Sequence, residues 1–372
     1  MWLLPGFVGL VLLLCALFLF PLLGVLFSKE QNKREEQSDA RGSLDILIPC
    51  HNEQGKLRET LESINQSRAL ASSVFSDGCY NVVVGLDSCS DETSKEAEQF
   101  GAKTHNYSFH SKWKVLCRLV EQSTAEWVAF VDAGTVWDKR LLRNVIPFMI
   151  PSVSCIAPSY RIKNAGVLSR IFWRLESFLK NIENLNGGPV SVHGATIFYQ
   201  RESLRHVLRS IAGRVWWTDD VVVPLMLRAL IPSQQIIYAS NSEGGFCVFD
   251  SAPRAKKIEH NARRRVAMGN LQWVLRLLPL IFLLKPQVFI VSLRRFFRLY
   301  WCVTAICVVL SAALFIAESF PFALWLNLLM SFTFLSLASV VLIRSAAFRA
   351  SLFVLKETLS RRGFLEETIQ WN

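Results

Sequence analysis

The sequence predicts an α/β domain on a largely parallel sheet, set between uncharged stretches long enough to cross a bilayer. Three observations predict it. From Leu44 onward, short apolar runs alternate with helical stretches of about ten residues, the pattern of βαβ units with helices on the sheet faces. Two of the runs, Val82-Val83-Val84-Gly85-Leu86-Asp87 and Trp127-Val128-Ala129-Phe130-Val131-Asp132, end in an aspartate. Ligands of such sheets sit beyond the carboxyl ends of the strands, where both acids fall. Finally, Met1 to Ser28 carries no side-chain charge, which exceeds the roughly 20 residues that a helix needs to span hydrocarbon.

The elements follow in order. Leu44 to Pro49 reads as a strand, Gln54 to Gln66 as a helix, Tyr80 to Leu86 as a strand and Asp91 to Phe100 as a helix. Ser90 ahead of Asp91 and Glu92 supplies a cap and two acids to the first turn of that helix. Ala102 to Asn106 is a short strand, Ser111 to Glu121 a helix, and Glu126 to Asp132 a strand, with Asp138 on a helix that follows. A less regular half continues with a strand at Val153 to Ala157, an amphipathic helix at Leu168 to Asn184, a strand at Ser191 to Tyr199 and a helix at Asp220 to Leu230. Asn186-Gly187-Gly188-Pro189 is a loop by composition. No internal repeat is present.

Beyond the domain, Leu299 to Ala317 and Ser319 to Ile343 are uncharged and separated only by Glu318, a helical hairpin with Pro321 in its turn. Cations flank the three spans on one side: Lys29, Lys33, Arg34 and Arg41, then Arg294, Arg295 and Arg298, then Arg344, Arg349 and Lys356. The positive-inside bias places the domain and the tail in the cytosol of a multi-pass inner (cytoplasmic) membrane protein. Val274 to Leu284 is short and holds Arg276, which suits a helix in the interface. The expected organisation is a span at 1–28, a basic linker at 29–43, the cytosolic domain at 44–273, an interfacial segment at 274–298, spans at 299–317 and 319–343, and a tail at 344–372. A cleaved signal peptide would need a basic start and a small-x-small site, and neither is there.

The formal net charge is +11, but the cations cluster beside the apolar segments and in Arg254 to Arg265. Anionic headgroups and a diphosphate explain them, so no nucleic-acid partner is expected. Nine cysteines lack any CxxC pair, which argues against a zinc site and a disulfide framework.

Five motifs stand in a particular order: Ile46-Leu47-Ile48-Pro49-Cys50-His51-Asn52-Glu53, Asp87-Ser88-Cys89-Ser90-Asp91-Glu92-Thr93, Phe130-Val131-Asp132-Ala133-Gly134-Thr135, Thr218-Asp219-Asp220 and Arg263-Arg264-Arg265-Val266-Ala267-Met268-Gly269-Asn270. Together they resemble the membrane-anchored inverting glycosyltransferases of family 2, nucleotide-sugar enzymes with a GT-A fold that include bacterial exopolysaccharide and glycolipid transferases. The likeness runs from about Leu44 to Trp273.

The resemblance implies that Pro49, Asn52 and Glu53 border the nucleotide base and that Asp87 contacts the nucleoside. The residues alone also allow a plain strand-to-helix turn at Asn52 and Glu53, and an Asp87 that braces its own loop. Asp132 matches the first acid of the family's Asp-x-Asp, which implies a divalent Mg2+ or Mn2+ bridging the donor's phosphates. Gly134 stands where the second acid belongs, which puts metal dependence in question. Thr218-Asp219-Asp220 resembles Thr-Glu-Asp, which makes Asp220 the catalytic base, with Asp219 and Trp217 beside it. A helix N-terminus rich in acid is the alternative. Lys112 falls where the family carries a diphosphate lysine, or else starts a solvated helix. His193 follows Gly187-Gly188-Pro189 where relatives form the acceptor pocket, or is structural. Arg265 matches the arginine of Gln-x-x-Arg-Trp and pairs with phosphate, while Ala262 and Val266 replace the glutamine and the tryptophan.

The implied activity is inverting transfer of one hexose from a nucleotide-diphosphate sugar to a lipid-linked or membrane-delivered glycan. A processive polysaccharide synthase of the same fold is the first alternative. Three spans are few for a channel unless further copies or export partners associate. A non-catalytic membrane scaffold with a degenerate domain is the other.

Overall fold

The computed structural model describes residues 42–71, 80–162, 167–185, 187–239, 246–249, 256–285, 301–319 and 329–338, with short pieces among 288–295 and 349–359. The expected span 1–28 and nearly all of the linker lie outside these residues. The chain divides into two compact units, one within Phe27–Asn261 and one within Ala262–Glu367.

The first unit is the α/β domain. Its strands are β1 (Leu44–Cys50), β2 (Tyr80–Asp87), β3 (Lys103–Tyr107), β4 (Trp127–Val131), β5 (Thr135–Trp137), β6 (Val153–Ile162), β7 (Thr196–Gln200), β8 (Gln235–Ala239) and β9 (Phe246–Phe249). They join in the order β3-β2-β1-β4-β7-β6-β9-β5, with β8 also on β6. Every residue of β1 is buried, as expected of a central parallel strand covered on both faces.

Helix α1 (Lys56–Ala71) lays Leu57, Leu61 and Ile64 on the sheet. The short α2 (Thr93–Gln99) follows β2, and α3 (Lys112–Gln122) buries Trp113, Val115, Leu116, Leu119 and Val120. The Ser111 side chain caps α3. Each large apolar side chain moved wholly from water to this core contributes about 1.5–3 kcal/mol.

The expected parallel sheet holds only for β3-β2-β1-β4. Beyond β4 the sheet is mixed, because β7 runs antiparallel to both β4 and β6. The strand expected at Ser191 to Tyr199 shrinks to β7, since the residues ahead of it bond elsewhere. Asp138 is not on a helix: it precedes α4 (Leu141–Val145) and accepts from the Arg140 N–H at 2.8 Å. Helices α5 (Val167–Asn184) and α7 (Asp219–Leu230) match expectation to within a residue, while α6 (Arg201–Ser210), β5, β8 and β9 carry too few periodic residues to be read in advance.

Helix α8 (Lys256–Arg276) runs through the boundary expected at 273, so the division falls about a dozen residues earlier. In the second unit, α9 (Leu278–Leu284) covers part of the expected interfacial segment, and α10 (Trp301–Ser319) falls on the span expected at 299–317. Residues 329–338, within the last expected span, are helical. Among the described residues, no helix is long and apolar enough to cross a membrane.

Candidate active site

The strand register brings the two strand-end acids to one edge of the sheet. Cys50 pairs with Leu86, so Asp87 follows directly at the carboxyl end of β1. Leu47 pairs with Phe130, so Asp132 leaves β4 at the same edge.

Asp87 is fully buried. Its Oδ1 accepts from the Phe109 and His110 N–H groups at 2.7 and 3.0 Å, and its Oδ2 from the Ser111 N–H at 2.8 Å. Three backbone donors occupy the carboxylate, so Asp87 is the loop brace that its residues also allowed, and in this structure the carboxylate is not open to a nucleoside. The brace has a purpose one residue later. It fixes the turn that starts α3, including His110 at φ 48°, and the first residue of that helix is Lys112.

Lys112 Nζ lies 2.6 Å from Asp132 Oδ1 and 3.5 Å from Asp219 Oδ1. One ammonium thus gathers acids that are 87 positions apart in the chain. Both pairs sit at partly buried positions, where water screens them less than on an open surface. Asp219 Oδ2 is buried and has no hydrogen-bond partner among the described residues, and burying a carboxylate oxygen without a partner is costly. Asp219, which the sequence placed only beside the expected base, thus shares its cation with Asp132.

Asp219 and Asp220 open α7, where the helix dipole favours negative charge. The sixth residue of α7, Pro224, has no N–H to return to the carbonyl four positions back, which belongs to Asp220. Val192 takes that free carbonyl, donating its N–H at 2.9 Å. On the other side the Asp132 N–H donates to the Ala195 carbonyl at 3.1 Å. The segment 192–195 is therefore clasped between the backbones of Asp132 and Asp220. A Cβ built on Gly194 would stand 3.5 Å from Asp220 Cβ and 3.9 Å from its Oδ2, in ordinary contact, so this glycine lies directly beside the half-buried Asp220 carboxylate.

His193 belongs to an aromatic group. Its Nε2 lies 3.3 Å from the Tyr238 hydroxyl, which also meets Ser177 Oγ at 3.1 Å, and the Tyr160 ring lies 5.4 Å away. Burial pushes the Tyr238 phenol up to about 12, against the lowering effect of Ser177, so it stays protonated and able to donate. Trp216 is buried, with its indole N–H on the Ile211 carbonyl, and Trp217 is half-buried.

On the base side, the turn after β1 is stitched to the turn after β2. Asn52, at φ 53°, accepts from the Ser90 N–H at 2.8 Å and does not cap α1. The Glu53 N–H donates to Thr93 Oγ1 at 2.9 Å, and Glu53 Oε2 pairs with Lys56 at 2.6 Å. Pro49 is buried within β1. Gly134 has φ +87° and lies against the Lys56 stem, with its N–H on Thr60 Oγ1 at 2.8 Å. The place of a second motif acid thus has a positive φ that side chains rarely adopt, beside the Lys56 methylenes. Arg265 lies on α8 in the second unit and is half-buried, and the side chains of Arg263 and Arg264 lie outside the described residues.

Sequence reasoning did not find the charges beneath the 187–194 loop. Lys180 on α5 is buried and donates to the Ser191 carbonyl, and Arg228 on α7 is buried and donates to the Gly188 carbonyl. Burial pulls the Arg228 guanidinium down to about 10 while Glu183 opposes the fall, so it is charged at neutral pH. The signal was Glu176, Lys180 and Glu183 on one helical face, a grouping that ordinarily marks the solvent side.

Whether these groups suit a divalent cation is testable on the site itself. Asp132 and Asp219 converge on one positive charge, and Asp219 keeps a buried oxygen without a partner. Among the described residues no cluster of three or more acidic, histidine or cysteine ligands is assembled. The pair fits a cation whose remaining ligands are diphosphate oxygens and water.

A sheet with converging acids at its carboxyl edge, beside a loop clasped over a helix N-terminus, defines a glycosyltransferase of the GT-A type. The chain belongs to glycosyltransferase-like family 2, whose sequence model matches residues 41–269. It is a nucleotide-sugar transferase.

No curated protein sequence matches the chain. Among solved structures, a mannosyltransferase from Pyrobaculum calidifontis, in complex with GDP-Man and Mn2+, is similar in fold. It is 15% identical, with a TM-score of 0.68, over 97% of this chain and 100% of that one. A glucosyl-3-phosphoglycerate synthase from Mycobacterium tuberculosis, in complex with Mn2+, UDP and phosphoglyceric acid, is 14% identical over 65% of this chain and 84% of that one, with a TM-score of 0.41.

Proposed function

We propose that the enzyme inverts the anomeric centre as it moves one sugar from a nucleotide-diphosphate donor to a lipid-linked or membrane-delivered glycan. The observation that carries this reading is the Lys112 ammonium shared by Asp132 and Asp219, next to Asp220 at the carboxyl edge of the sheet. Asp220 takes the proton of the acceptor hydroxyl as its oxygen attacks the anomeric carbon from the face opposite the diphosphate. Its half-buried place at a helix start shields the carboxylate from bulk water, as a base requires. Lys112 follows the departing diphosphate as a mobile point charge. Asn52 and Glu53 seat the base at the stitched turn, while Asp87 acts on the donor through the Lys112 turn.

Asp132 and Asp219 would hold a Mg2+ or Mn2+ ion, and that ion would neutralise charge growing on the leaving diphosphate. The 192–195 segment carries His193 to the acceptor side, with the buried Tyr238 hydroxyl behind its ring. Charge-free stretches with one-sided cations support a membrane setting with the catalytic domain on the cytosolic side.

Purified full-length enzyme, given a panel of nucleotide sugars and a lipid-linked acceptor, is expected to add a single residue. A ladder of products would replace this reading with processive synthesis, and turnover confined to water-soluble acceptors would remove the membrane-delivered acceptor.

Lys112→Ala is expected to weaken nucleoside diphosphate binding about tenfold, or ~1.4 kcal/mol, measured by calorimetry with and without Mn2+. Unchanged affinity in both conditions would confine Lys112 to holding the two acids together.

A further inference from the structure

Helix α5 is turned opposite to the usual sense of an amphipathic helix. Its charged residues Glu176, Lys180 and Glu183 are buried, while Leu175 is 40% exposed and Phe178 57% exposed. Leu185, one residue past the helix end, is 64% exposed. Arg170 and Arg174 are exposed as well. At 3.6 residues per turn, Arg170, Arg174, Leu175 and Phe178 share an arc of about 140°, and the three buried charges fall on the other side. The outward face therefore holds apolar groups and cations, and its acids are turned inward. Large apolar residues grouped on a surface mark an interaction site.

We propose that this face of α5 docks on an anionic phospholipid surface. The choice of occupant rests on charge: arginines beside leucine and phenylalanine, with no exposed acid described on that arc, match the headgroup and acyl boundary of an anionic leaflet. A second copy of the chain would bring the same two arginines face to face. The buried half of the helix ties docking to the site, because Lys180 holds the Ser191 carbonyl and Glu183 supplies the carbonyl that accepts from Gly188. A helix lying on the membrane would thus hold the acceptor loop at the depth of a headgroup. The inference rests on the membrane-delivered acceptor of the proposed function.

The test places a photoreactive benzoylphenylalanine at Phe178 in the full chain, reconstituted in phosphatidylcholine vesicles with and without phosphatidylglycerol. The same probe at Glu202, exposed on α6, is the control. Irradiation is expected to give lipid adducts at position 178 several-fold above the control, rising with the phosphatidylglycerol fraction. Combining Arg170→Glu with Arg174→Glu should abolish that rise.

Adducts no more frequent than at Glu202, or adducts to a second copy, would overturn the proposal. If none form while transfer to a lipid-linked acceptor continues, docking falls and the acceptor reading stands. If adducts form while only soluble acceptors are used, the reverse holds.

Discussion

Asp220→Asn is expected to lower sugar transfer about 10²–10⁴-fold, the range supplied by a positioned general base. The substitution keeps the shape of the side chain and leaves the main chain untouched. The Asp220 carbonyl would still receive the Val192 N–H, and Gly194 would still pack on the same atoms. Only the ability to hold a proton is lost. Nucleoside diphosphate affinity, which the proposed function assigns to Asp132, Asp219 and Lys112, should change little by calorimetry. Steady-state transfer retained near the parent rate would show that another group takes the acceptor proton, with Asp219 the nearest candidate.

Gly188→Ala is expected to cost about 3–5 kcal/mol of stability and to abolish transfer with it. Gly188 has φ +103°, and a Cβ there would lie 1.9 Å from the Ile236 carbonyl oxygen of β8, so backbone must move against backbone. The contact is tight because three bonds converge on this turn. The Gly188 N–H reaches the Glu183 carbonyl at 3.0 Å, the Ile236 N–H reaches the Gly187 carbonyl at 3.0 Å, and Arg228 holds the Gly188 carbonyl. A melting point lower by about 10 °C is the expected reading for a domain of this size. Gly213→Ala is the control: at φ +79° with nothing within 4 Å of the added carbon, it should cost only about 1–2 kcal/mol of local strain. Equal melting points for the two variants would mean that the 187–194 loop is not pinned as described.

Much of the first half of the domain was legible because its signals are local. Near-continuous apolar runs along β1, β2 and β4, and apolar faces along α1 and α3, are signals that a short window of sequence contains. The antiparallel half was not, since the direction in which β7 joins β4 depends on a long-range pairing, Val131 with Thr196, that no window of sequence contains. Asp87 shows the same limit at the site. An acid at a strand end can face a ligand or its own loop, and three backbone donors from residues 109–111 decided for the loop. Helix α5 shows it in reverse: its periodicity gave the helix within a residue, yet the charged face went inward.

By itself the sequence determined the family, the order of its motifs, and the strands that end at Asp87 and Asp132. Tertiary structure alone decided that Lys112 joins Asp132 to Asp219, that Pro224 frees the Asp220 carbonyl for Val192, and that Lys180 and Arg228 lie beneath the 187–194 loop. Residue type and spacing fix what a side chain can do. Which partner it meets depends on burial and on contacts between distant segments, because a buried charge or carbonyl is stable only where the fold supplies its complement.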